Sequence, residues 1–567
     1  MPPRSRIAAT LLVVFGLAAG RVAGSAPADE PHATTARGAA FAIATDHRLA
    51  SLTGARILDE GGNAVDAAVA IGYALAATYP AAGNLGGGGF MLVRLKDGSS
   101  HFIDFRERAP AAASAGMYLD ANGAPDAKRS TVGALSAGVP GTVAGLEYAR
   151  THFGTRARAV LLAPAIAYAD GFSLDAADAR EFAREGALLA GFPSSAAIFM
   201  HDGVTFGADT RFRQADLART LRAISARGVD GFYRGPVARA LVAATKAAGG
   251  IITLDDLARY RAVERTPVSC TYAGATIVTA PPPSSGGVAL CESLGIIGAP
   301  RGGALRDAAN AHLELEAERR AFADRSSALG DPDFVRVPVA HLLDPAYLAA
   351  RRASIEPGRA TPSSAIAGFA SHEGQNTTNY SVVDAAGNAV DVTYTLNAAF
   401  GSGFVAAGTG VLLNDEMDDF TSKPGLPNMF GLVQGAANAI APGKRPLSSM
   451  TPTIVLDARG RVALVAGAAG GPHIITAVLD ILRSVIEFHE DVAAAVARPR
   501  LHMQWLPDTV YTEDGTFTPD VTDALKAMGY RIKPGAGSLA NAVGIDANGL
   551  RTAAHDPRNA TGLAVAE

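Results

Sequence analysis

Thr377-Thr378-Asn379-Tyr380-Ser381-Val382-Val383-Asp384-Ala385-Ala386-Gly387-Asn388-Ala389-Val390-Asp391-Val392-Thr393-Tyr394-Thr395-Leu396-Asn397 is the stretch on which the reading of this chain turns. Tyr380 to Val383 reads as a strand, Ala385 to Asn388 as a turn and Ala389 to Leu396 as a returning strand. Thr393 and Thr395 fall on one face of the second strand and Tyr394 on the other. The residues before it differ in character. Residues 355–376 run through Glu356-Pro357-Gly358, Thr361-Pro362-Ser363-Ser364 and Ser371-His372-Glu373-Gly374-Gln375, a polar, irregular and exposed connector. Order returns at Asn376-Thr377-Thr378.

A threonine hydroxyl is a poor nucleophile without a base. A cut before Thr377 would free an α-amine within reach of that residue's own hydroxyl. Such an amine titrates at roughly pH 7.7–8.0, so it can accept a proton at working pH. Taken alone, a Thr-Thr pair before a strand only favours extended backbone, and Thr393 and Thr395 satisfy the same plain reading.

Outward from this hairpin, Gly38 to Thr45 reads as a strand and His47 to Thr78 as a helical region punctuated by Gly61-Gly62-Asn63. Phe90 to Lys96 and His101 to Arg106 form a hairpin about Asp97-Gly98. Residues 140–260 are mostly helical in pattern, as in Ala215 to Arg227 and Gly235 to Ala248. Thr276 to Ala280 is a short strand before Pro281-Pro282-Pro283-Ser284-Ser285-Gly286-Gly287, and Ala304 to Ser326 is a long helix. Ile454 to Asp457 and Val462 to Ala466 pair across Arg459-Gly460, and Ile474 to Phe488 is a later helix. Strands and helices in both halves point to stacked sheets with helical outer layers.

The bulk composition narrows the function classes. A chain of 567 residues with 48% hydrophobic and 18% charged residues can build one large core or two intimate ones. A net charge of −4 without a long basic run points away from nucleic acid and anionic membranes. Arg4 and Arg6, the short apolar run Ile7 to Ala19 and the small residues Gly24 and Ala26 read as a signal peptide over residues 1–26. The run is too short to span a bilayer comfortably, so export to the periplasm or medium is expected, with no stable membrane anchor. Ala64 to Leu85 is weakly polar but interrupted by Asp66, and reads as a buried helix. An oxidising compartment permits a disulfide between Cys270 and Cys291; two buried thiols satisfy the same sequence.

Other local features carry two readings each. Asn414-Asp415-Glu416-Met417-Asp418-Asp419-Phe420 is an acidic cluster, a solvated turn or, less well for want of EF-hand spacing, a calcium loop. Pro446-Leu447-Ser448-Ser449-Met450 offers two hydroxyls in a breaker-rich segment. Gly467-Ala468-Ala469-Gly470-Gly471 precedes a helix, where backbone N–H groups can hold an oxyanion; on glycine spacing alone a tight turn is preferred. Gly86 to Gly89 lacks the Lys-Ser/Thr of a phosphate loop and precedes a strand, which excludes nucleotide binding there. No HExxH, Cys/His cluster or serine elbow is present in the sequence, and no metal or cofactor is expected.

Together these segments resemble the γ-glutamyltransferase family of N-terminal nucleophile hydrolases. The resemblance runs from about residue 38 to the C-terminus. It rests on Ala82 to Phe90, Asp104-Phe105-Arg106-Glu107, Pro281 to Gly287, Ala323-Asp324-Arg325, Gly330-Asp331-Pro332 and, most specifically, Thr377 to Gly471. It implies a four-layer αββα sandwich and a precursor that cuts itself between Asn376 and Thr377. The products would be a large subunit of residues 27–376 and a small catalytic one of residues 377–567. Thr377 would attack a γ-glutamyl amide, typically of glutathione, and pass the acyl group to water or an acceptor amino acid or peptide. By motif match Thr395 would tune the Thr377 hydroxyl, and Gly470 and Gly471 would donate to the oxyanion. Arg106, Ser448 and Ser449 would hold the substrate α-carboxylate, and Asn397, Glu416 and Asp419 its α-ammonium. For Arg106 the plain reading is a surface ion pair with Asp104 or Glu107.

Two residues depart from the family pattern. Asn379 stands where histidine is common, and Phe430, in the lid-like stretch Pro424 to Arg445, where an aromatic with a hydroxyl is common. Competing readings are a related acylase acting on a cephalosporin side chain or poly-γ-glutamate, and a non-catalytic periplasmic protein that binds γ-glutamyl compounds.

Overall fold

A computed structural model describes residues 33–366, 377–423, 435–535 and 537–567. The expected signal peptide, the end of the connector with Asn376, and Phe430 lie outside the described residues.

Two seven-stranded sheets form the centre. In the first, the hairpin Thr378–Val383 and Ala389–Thr395 is flanked by Ala42–Thr45 and Leu563–Ala566 on one side. Gly88–Arg94, Ser100–Asp104 and Val263–Arg265 lie on the other. The second sheet runs in the order Thr35–Gly38, Arg551–His555, Leu539–Ile545, Val462–Ala469, Thr453–Leu456, Ala275–Thr279 and Val268–Tyr272. Every pairing in both sheets is antiparallel.

Strand periodicity assigns the faces. Ile43, Met91, Val93, Tyr380, Val382, Val390, Val392 and Tyr394 join one apolar cluster with Ala64–Thr78 and Thr142–Phe153, the helices packed on the first sheet. Their neighbours Ala42, Ala44, Phe90 and Leu92 turn the other way and join Val465 and Val543 of the second sheet. Gly286–Ile297 and His473–Leu482 cover the far side of the second sheet. The result is four layers, helix–sheet–sheet–helix, as expected.

Local chemistry accounts for several boundaries. Ala64–Thr78 is buried along its length. It tolerates Asp66 because that side chain and Asn63 close a capping box, and Asp66 also accepts the Thr155 hydroxyl at 2.6 Å. The single strand expected over Gly38 to Thr45 is two, Thr35–Gly38 and Ala42–Thr45, and they belong to different sheets. The chain crosses between sheets at residues 39–41, so one continuous ladder is impossible. The helix expected to reach Phe488 is regular only over His473–Leu482 and widens into a π-turn at Arg483–Glu487. Cys270 and Cys291 are disulfide-bonded, tying an edge strand to the helix outside it.

Candidate active site

The inter-sheet face of the Thr377 hairpin is polar. By the alternation above, Asn379 and Ser381 point between the sheets, as do Asp391, Thr393 and Thr395 from the partner strand. Thr378 pairs with Tyr394, so the next residues outward on the two strands are Thr377 and Thr395. Directly opposed residues of an antiparallel pair share a face. Thr377 therefore stands beside Thr395 at the open end of the inter-sheet layer, with 8% of its surface exposed.

Three side chains fix this strand end. Buried Asp46 accepts the Thr378 hydroxyl at 2.8 Å, the Asn379 N–H at 3.3 Å and the Asn541 side-chain amide at 2.9 Å. Asn541 also donates to the Asn379 carbonyl at 2.7 Å. Asn379 itself donates to Asp391 Oδ1 at 3.0 Å and to Thr393 Oγ1 at 3.1 Å. Asp391 further accepts from the Ser381 hydroxyl at 2.9 Å and from Thr453 N–H of the other sheet at 3.1 Å. Burial pushes its carboxyl up to about 7, against the pull of those donors. Asp46 and Asn541 were not legible as site residues: a lone acid before a helix reads as a cap, and Asn541 sits in an unremarkable strand.

Thr395 is held from two sides. Its hydroxyl accepts the Asn397 N–H at 2.8 Å, and Asn84 donates to its carbonyl at 2.9 Å. This approach requires the glycine at 87 within the Gly86–Gly89 run: a Cβ there would lie 2.0 Å from the Thr395 carbonyl oxygen. Asn397 has φ +82° and donates to the Asp415 carbonyl at 3.1 Å. Gly470 and Gly471 follow the strand Val462–Ala469 with φ of +129° and +58°, a turn that sends the chain into the helix His473–Leu482. Gly470 and Thr377 line the same cavity, of about 420 Å³.

The acidic cluster is not a solvated turn. Asp415, Glu416 and Asp418 are buried, and Arg106 is 1% exposed. Its guanidinium is paired with Glu416 and Asp419 and donates to the Pro446 and Leu447 carbonyls at 3.4 and 3.3 Å. The surface pair with Asp104 or Glu107 is thus replaced by a buried cluster; Glu107 lies 3.8 Å away. Burial raises the Glu107, Glu416 and Asp419 carboxyls, and Arg106 opposes the shift in each.

Ser448 and Ser449 continue this wall. Ser449 Oγ accepts from Arg325 at 2.7 Å, and Arg325 also donates to Ser285 Oγ at 2.8 Å. Ser285 reaches the Ser448 carbonyl through its N–H at 2.7 Å and its hydroxyl at 2.6 Å. The Pro281–Gly287 breaker therefore buttresses the two serines. The structure thus gathers Arg106, Glu416, Asp419, Ser448 and Ser449 into one region, and Thr377, Thr395 and Gly470 into another.

The layers and the threonine at the mouth of the inter-sheet strand define an N-terminal nucleophile hydrolase fold. The crystal structure of a cephalosporin acylase from Bacillus halodurans matches it with a TM-score of 0.81 at 24% identity, covering 98% of this chain and 99% of that one. The family model described as "Gamma-glutamyltranspeptidase" matches residues 50–566, and the chain belongs to that family. A "Glutathione hydrolase proenzyme" of Pseudomonas sp. (strain A14) is 50% identical over 544 residues, 92% of this chain and 93% of the relative. The protein of that description in Escherichia coli (strain K12) is 46% identical over 531 residues, 92% of this chain and 91% of the relative.

Proposed function

We propose that this protein is a glutathione hydrolase and γ-glutamyltransferase made as a self-cleaving precursor. The observation that carries the proposal is the placement of Thr377 beside Thr395 and in one cavity with Gly470. Supporting it are membership of the family and the proenzyme description of relatives at 46% and 50% identity.

Cleavage before Thr377 leaves a large subunit of residues 27–376 and a small one of residues 377–567. The freed α-amine takes the Thr377 hydroxyl proton as Oγ attacks the γ-glutamyl carbonyl. Thr395 orients the hydroxyl, and the N–H groups of Gly470 and Gly471 receive the oxyanion. Collapse expels the amine half with the proton and leaves a γ-glutamyl ester on Oγ. Water or an acceptor amine then takes the acyl group. Arg106 with Ser448 and Ser449 holds the α-carboxylate, and Asn397, Glu416 and Asp419 hold the α-ammonium. This requires the Arg106 cluster to admit the zwitterion, whose two charges match the ones already paired there. Residues 1–26 direct export to the periplasm or medium.

The test is glutamate release from glutathione by the purified protein and by Thr377→Ala. Release that disappears in the variant supports the reading. Hydrolysis of a glutaryl amide without glutathione hydrolysis contradicts it and favours an acylase.

A further inference from the structure

The Thr377 cavity has a wall that the α-amino-acid clamp does not use. Among the described residues lining it, none belongs to the Arg106–Ser449 region. One side is instead a single face of the helix Ala176–Arg184: Ala177, Arg180, Glu181 and Arg184 all line the cavity. Their spacing, i, i+3, i+4 and i+7, stacks them along one helical stripe. Buried Ala177 leaves room beneath the longer side chains.

The charges on this wall are not balanced. Arg184 is paired with Glu181 at 2.9 Å. Arg558, which also lines the cavity, is paired with Glu513 at 2.5 Å and Asp556 at 2.8 Å. Arg180 is exposed; Glu181 gives its ion pair to Arg184 and interacts with Arg180 only at longer range. One cationic fork therefore faces the space beside the nucleophile.

On the γ-glutamyl-transfer reading, two molecules would use the space beside Thr377. The amine half of the donor leaves from the carbonyl that Thr377 attacks, and an acceptor amine approaches the same carbon along the reverse path. When either is an amino acid or short peptide, its amine points at Thr377 and its free carboxylate projects away. A planar guanidinium matches a carboxylate in two parallel hydrogen bonds. Resting on the γ-glutamyl-transfer reading above, we propose that Arg180 binds the terminal carboxylate of the leaving group and of the acceptor. It is thereby a specificity-determining residue that favours peptides and amino acids with a free C-terminus over their amides.

The test compares kcat/KM for glutathione and for its C-terminal amide in the wild type, Arg180→Gln and Arg180→Glu. Because Arg180 is solvent-exposed, the wild-type preference for the free acid is modest, about fivefold at low salt, and shrinks as salt is added. Arg180→Gln brings the ratio to about one, and Arg180→Glu inverts it. The readout is a ratio within one preparation, so partial loss of folded enzyme does not disturb it. A wild type that cleaves both compounds equally, or an Arg180→Gln that keeps the preference, overturns the role of Arg180 and leaves the γ-glutamyl reading standing. A wild type that cleaves neither overturns both.

Discussion

The side-chain amide of Asn379 lies 3.0 Å from Asp391 Oδ1, two residues beyond the proposed nucleophile and between the two sheets. Every other group given to Asp391 is also a donor: the Ser381 hydroxyl and the Thr453 N–H. Burial nevertheless pushes its pKa from 3.8 to about 7. Between about pH 4 and pH 7 the folded protein keeps a proton there that the unfolded chain has released. This carboxyl's contribution to stability therefore falls as pH rises through that window and levels off above it. Asp391→Asn turns an amide donor toward Thr453 N–H or toward Asn379, and is expected to cost about 1–3 kcal/mol. It also removes the corresponding part of the pH slope, which urea unfolding of both proteins at a series of pH values measures.

Gly467 faces that pair from the other sheet. A Cβ there would lie 2.1 Å from Asn379 Nδ2 and 2.6 Å from Asp391 Oδ2. Gly467→Ala is therefore expected to push the sheets apart beside the strand that carries Thr377. The cost is about 1–3 kcal/mol of stability, with slower appearance of cut chains on a denaturing gel. Unchanged stability and unchanged cutting would show that the sheets part freely here.

Arg106 is the cation that makes the buried acids tolerable. Arg106→Gln leaves Glu416 and Asp419 without it, and removing one partner of a buried ion pair costs about 3–5 kcal/mol. The midpoint of thermal unfolding falls, and glutathione hydrolysis is lost. Arg106→Lys keeps the charge but not the two-pronged geometry, so it recovers more stability than activity. Equal recovery of both would place Arg106 in the fold rather than in substrate binding.

The base proposed for catalysis is the Thr377 α-amine, which must be neutral to take the hydroxyl proton. With chemistry limiting, kcat rises with pH and levels off at about pH 8, the range of an unperturbed α-amine. A rate flat from mildly acidic to mildly alkaline pH contradicts the role.

Local pattern made the hairpin at Tyr380 to Leu396 readable, because alternation and the turn at Gly387, with φ +85°, agree. The capped helices and the hairpin about Gly98 were readable for the same reason. Gly38 to Thr45 reads as one strand because nothing among its small residues marks the crossing between the sheets to which Thr35–Gly38 and Ala42–Thr45 belong. The burial of Arg106 was invisible locally: its partners Glu416 and Asp419 are 310 and 313 residues away. Asp46 and Asn541 are separated by 495 residues and meet only when both sheets are assembled. The resemblance to a family supplied what spacing did not, the order and chemistry of the Thr377 to Gly471 block.

The claim on which the rest depends is that Thr377 becomes a chain start. Intact-mass measurement of the purified protein tests it directly. Two species are expected, the smaller beginning at Thr377 and ending at Glu567, with Thr377→Ala giving one uncut chain. A wild type that remains a single chain would contradict the mechanism, and the reading as a protein that binds γ-glutamyl compounds without cleaving them would then be the one to test.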